Sequence, residues 1–217
     1  MKRFLFVIIF CLVMIICFAG CTTKSEKAET LIEKGQYYSA LEILDEMDET
    51  ELDKSMMRRC YLGIFADYIK ENGTAGQYGK GLYFSDSSDE EFCIAVETDT
   101  AIKMTSHFKN DVGDITSNFI VDGSDRIPFD GNSRTSFSLL GYSYYDSFKG
   151  SGYIDISTGK TVIESFNTDS SKSGSSTNTQ ETLQRMIELK YSKFKNQIRT
   201  ELANAGLGFE QSDLGIR

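Results

Sequence analysis

Few side chains in this chain could do chemistry, and each can be tested against its neighbours. His107 is the only histidine, so any Ser/His or Cys/His nucleophile has to use it. It lies in the run Ile102 to Lys109, where Lys103, Thr105, His107 and Lys109 alternate with Ile102, Met104, Ser106 and Phe108. That period of two places it on a polar strand face, where a histidine is ordinarily solvated. One His with the dispersed Cys60 and Cys93 gives no ligand pair at zinc spacing. Gly159-Lys160-Thr161 copies the end of a phosphate-binding loop, but that loop needs a glycine where Ile154 stands. Ser157 and Lys160 have the spacing of a lysine-activated serine, yet they fall in a hairpin turn with no Ser-Asp-Asn partner downstream. Asp86, Asp89, Glu90 and Glu91, or Asp122 and Asp125, offer hard oxygens to Ca²⁺ without the alternating spacing of a calcium loop. They read as solvated turn carboxylates. The expectation is a chain with no cofactor, no metal and no enzymatic activity.

The remaining candidate is aromatic. Phe137, Tyr142, Tyr144, Tyr145, Phe148 and Tyr153 crowd one stretch, and exposed tyrosines favour interfaces and sugar platforms. Sheet cores use the same residues, and the chain has no tryptophan. Tyr142, Tyr144, Tyr145 and Tyr153 are therefore held as a candidate binding surface for a small molecule or glycan, against a core reading.

The N-terminus says more. Lys2 and Arg3 precede an unbroken apolar run from Phe4 to Ala19, followed by Gly20 and Cys21, which is the form of a secretory signal. Read instead as a membrane helix, a run of about 16 residues at 1.5 Å each is ~24 Å long against a hydrocarbon core of ~30 Å. Phe18-Ala19-Gly20-Cys21 resembles the lipobox of bacterial lipoproteins, with Phe18 where an aliphatic residue is usual. The resemblance implies cleavage before Cys21, a diacylglycerol on its thiol, and an added acyl chain such as palmitate on the new amino group. The protein would then sit on the extracytoplasmic face of a bacterial cell membrane, held by lipid. Two or three acyl chains make a stable anchor where one is marginal.

Loss of Lys2 and Arg3 with the signal takes the basic count from 23 to 21 against 32 acidic residues, a net charge near −11. Such a chain repels nucleic-acid phosphate, so no nucleic-acid partner is expected; an envelope protein is the expected one. Cys60 and Cys93 remain for a disulfide, or for two small core hydrophobes.

The elements follow from periodicity. Residues 1–20 are read as the signal, 21–25 as a lipidated tether, and 26–72 as helical. Ala28, Leu31, Ala40, Leu44 and Met47 resemble one tetratricopeptide repeat over about 25 residues, without its tryptophan and with Leu52 in place of its closing proline. The resemblance implies a helical hairpin. A third helix from about Thr50 would carry Leu52, Met56, Cys60, Ile64 and Tyr68 on one stripe. Residues 73–166 alternate with period two between Asp/Gly/Ser turns, which predicts an antiparallel sheet or sandwich, with a hairpin at Tyr153 to Phe166. Residues 167–180 contain no apolar side chain and read as a flexible linker.

The segment 181–217 is an amphipathic helix and tail, its stripe Leu183, Ile187, Tyr191, Phe194, Ile198 and Leu202 spaced 4, 4, 3, 4 and 4. That stripe should fold back on the body, with the face around Met56, Ile64 and Tyr68 as the expected acceptor. The fold class is thus α+β, and the expected function is a membrane-anchored, non-enzymatic interaction or structural module of the envelope.

Overall fold

The structure, a computed structural model, describes residues 23–48, 52–139, 142–171 and 179–217. The signal, Cys21 and the expected cap Thr50 lie outside them. The chain divides into two compact units, Met1–Asp53 and Lys54–Arg217. In the first, α1 (Lys24–Glu33) and α2 (Tyr37–Asp45) pair, burying Ala28, Ile32, Tyr37, Ala40 and Leu44. Thr23 starts α1 with a reciprocal cap: its hydroxyl accepts from the Glu26 amide at 3.2 Å, and the Glu26 carboxylate accepts from the Thr23 amide at 3.0 Å. No helix among the described residues is long and apolar enough to cross a membrane.

The second unit has α3 (Lys54–Asn72), then eight strands, then α4 (Gln180–Ala205). The strands are β1 (Thr74–Gly76), β2 (Gly79–Ser87), β3 (Glu90–Thr98), β4 (Ala101–Lys109), β5 (Gly113–Val121), β6 (Arg126–Leu139), β7 (Tyr142–Asp155) and β8 (Thr161–Ser170). They pair antiparallel in sequence order into one sheet. Of the two expected forms, the sandwich is not made, because helices cover the apolar face that a second sheet would have covered. The hairpin at the end is present, and β8 runs on to Ser170, so the expected linker starts later than residue 167.

One row of paired residues explains how α4 seats. Across the inner face the register aligns Phe84, Phe92, Ser106, Ser117, Gly131, Gly150 and Phe166. Aromatic rings stand at both ends and the smallest side chains lie between them, forming a saddle. The helix lies in it. A Cβ built on Gly131 would fall 2.9 Å from Met186 Cε and 3.2 Å from Ile187 Cδ1, and one on Gly150 would collide with Leu183. Phe194 sits between Phe92 and Phe119, with ring centres 5.3 and 5.9 Å away. All six residues of the apolar stripe are buried, each worth about 1.5–3 kcal/mol. Gly206, at φ 63°, closes the helix in the left-handed conformation that glycine adopts without strain.

The acceptor of α4 is therefore the sheet, not chiefly the expected stripe on α3. That stripe needs correction too: Leu62, Phe65 and Ile69 bring α3 into the shared core. Tyr68 packs at the margin, its hydroxyl donating to the Glu201 carboxylate of α4 at 3.3 Å. Spacing of four alone could not separate these two overlapping faces. Cys60 and Cys93 are both buried and neither is in a disulfide, so the disulfide alternative is not realised.

Candidate functional site

The outer face of the sheet is polar, and its network begins with the β4–β5 turn. Asn110 Oδ1 accepts from the amides of Val112 and Gly113 at 3.0 and 2.9 Å, which fixes the turn and hence the register. That register sets Thr105 opposite Asn118 and His107 opposite Thr116, and β6 brings Asp130 opposite Asn118. The Thr105 hydroxyl donates to Asn118 Oδ1 at 2.9 Å, and Asn118 Nδ2 donates to Asp130 Oδ1 at 3.0 Å. His107 Nε2 meets Asp114 Oδ1 at 3.0 Å. The histidine is thus on the expected polar face, but half-buried and held.

Tyr78 arrives over this face from the β1–β2 turn. Tyr83 fixes that turn, its hydroxyl accepting from the Tyr78 amide and donating to the Gly79 carbonyl, both at 2.9 Å. The Tyr78 ring stands edge-on to His107 with centres 6.3 Å apart. Burial raises the Tyr78 phenol above its ordinary range, helped by the negative charges of Glu91 and Asp114. Burial likewise raises the Cys93 thiol beneath Tyr83, which leaves it poorly nucleophilic. Between these elements lies a depression of about 340 Å³ lined by Tyr78, Ala95, Lys103, Thr105, Thr116 and Asn118. Half-buried Lys103 has no ion pair among the described residues.

A larger cleft of about 720 Å³ lies where α4 turns into the tail, lined in part by Arg199, Leu202 and Phe209. Its one guanidinium turns back to Asn196 at 3.5 Å. The outer-face depression is the better candidate because its polar groups converge through a fixed network.

The expected tyrosines do not form one platform. Strand alternation sets Tyr144 on the face of Phe148, and Tyr145 and Tyr153 on the other. Tyr145 and Tyr153 are eight residues apart, about 26 Å along the strand. Arg134 lies 5.9 Å from the Tyr145 ring centre and Arg126 4.3 Å from that of Tyr153. The Tyr142 side chain lies outside the described residues.

The acidic clusters also resolve into separate roles. Glu90 points inward, buried, and is bound by Lys190 and by Lys193, the latter at 3.0 Å. Asp125 accepts from the Arg58 guanidinium at 2.7 Å, and Asp122 accepts from the Ser124 amide at 3.0 Å. In the β7–β8 turn, Ser157 donates to Asp155 at 2.6 Å rather than engaging Lys160. Sequence reasoning missed Lys103, Thr105 and Asn118 as a group. Their types were visible, but their adjacency depends on a register that only the Asn110 turn sets. Comparison with known proteins finds no matching family model, no matching curated protein and no matching solved structure.

Proposed function

We propose that this chain is a lipid-anchored extracytoplasmic protein of a bacterial envelope, acting without catalysis as a binding module that presents the outer face of its sheet. The observation that carries the anchor is the basic, apolar and small-residue order ending at Cys21. Support for a binding role comes from the polar groups on the outer face. They are held by one another and leave donors and acceptors facing outward, as a recognition surface requires. A glycan reading is favoured at the Tyr78–Lys103 depression over the aromatic-rich stretch 137–153, whose outer tyrosines stand apart. Radiolabelled palmitate fed to cells making the chain should label it and leave it in the membrane fraction. Cys21→Ala should be unlabelled and keep its precursor length. Labelling of that variant would overturn the anchor.

A further inference from the structure

We propose that the depression around Lys103 binds a small hydroxylated carboxylate, a sugar acid of the uronate class. This deepens the reading of the outer face as a binding surface and rests on it, but not on how the chain is anchored.

The charge argument comes first. Lys103 is half-buried with no ion-pair partner among the described residues, in a chain whose formal net charge is −9. A partly desolvated ammonium without a counter-ion is unfavourable, and a ligand carboxylate would relieve that cost with a charge-assisted hydrogen bond.

The second observation is how the surrounding groups are committed. Thr105 spends its proton on Asn118, and Asn118 spends one amide proton on Asp130. The Thr105 lone pairs, the second Asn118 proton and the Thr116 hydroxyl therefore remain for a ligand. They are spaced by the sheet itself, about 4.8 Å between strands and about 6.8 Å along one. That grid matches the span of hydroxyls around a pyranose ring. Tyr78 closes one side with an aromatic surface, suited to a ring's C–H face. The volume of about 340 Å³ is near the lower end for small-molecule sites, which fits a single sugar ring.

Surrounding charge separates this ligand from a bare anion. Asp130 lies behind Asn118, and Asp114 behind His107, with Glu91 opposite His107 on β3. Lys109 and Arg134 stand opposite Asp114 on the neighbouring strands, which leaves Lys103 as the one cation lining the depression among the described residues. A single lining cation suits a monoanion that also offers hydroxyls, and disfavours a doubly charged phosphate.

The test is calorimetric titration of the full-length chain in detergent micelles with D-glucuronate, D-glucose and inorganic phosphate. Glucuronate should bind, with glucose and phosphate each about tenfold weaker or more. Lys103→Gln should lower glucuronate affinity about tenfold or more at unchanged melting temperature, and Thr116→Val should lower it severalfold. Should Lys103→Gln fail to fold, the Thr116→Val result decides. No glucuronate binding, equal affinity for phosphate, or affinity indifferent to both variants would overturn the assignment. Palmitate labelling at Cys21 is read separately, so failure here leaves the anchor untouched.

Discussion

Glu90 of β3 and Lys190 of α4, one hundred residues apart in the chain, meet as a buried ion pair over the ring of Phe92. Lys193 adds a second ammonium from the next turn, with its side chain 28% exposed and able to reach water. Pairing in such a site roughly offsets desolvation, whereas removing one partner strands the other. Glu90→Gln should therefore destabilise the fold by about 3–5 kcal/mol in urea unfolding. Glu90→Leu combined with Lys190→Met should recover most of that loss. Equal losses in both would mean the charges themselves hold α4 down.

The saddle beneath α4 gives opposite predictions at two positions of one row, Ser117 and Gly150, with Gly131 between them. The Ser117 hydroxyl is buried with no hydrogen-bond partner among the described residues, a cost of about 1–3 kcal/mol. Ser117→Ala should keep the shape and raise stability by about 1 kcal/mol. Gly150→Ala sets a methyl against Leu183 and should lower stability by about 1–3 kcal/mol. Denaturant midpoints of the two variants should move in opposite directions from wild type.

Asp155 predicts a pH dependence. Hydrogen bonds from Ser157 and from the Thr158 amide and hydroxyl hold its carboxyl down to about 2, from an ordinary 3.8. A depressed folded value means the contribution is fully present above the unfolded value and is lost as pH falls through the folded one. The stability difference between wild type and Asp155→Asn should be constant above pH 5 and vanish between about pH 4 and pH 2. Unfolding curves across that range, with the Asp155 carboxyl shift followed by NMR, test it. A midpoint near the ordinary value would show that the turn does not hold the charge.

The helices and strands were legible wherever one period dominated. The stripe Leu183 to Leu202 could have only one buried face, and all of it is buried. Thr105 and His107 could be assigned to the polar side from alternation alone. What sequence could not show was contact across distance. Glu90 looked like one more acid in a surface cluster, since its partners Lys190 and Lys193 lie some hundred residues further on and outside the apolar stripe of the last helix. On α3, Cys60 and Ile64 are buried as well as Leu62 and Phe65. A helix buried on more than one side has no single stripe to read, so spacing by four selected only part of it.

The sequential strand order has a consequence for how the chain is made. Each strand pairs with the one synthesised just before it, so the sheet can grow strand by strand with only short loops to close. The saddle of small residues stays uncovered until the final helix emerges, leaving Phe92, Phe119 and Phe129 wet on a nearly finished sheet. The vulnerable interval is thus the last stage of synthesis. A stop codon just before Gln180 should be more damaging than most point changes, because it yields a formed sheet with nothing to close it.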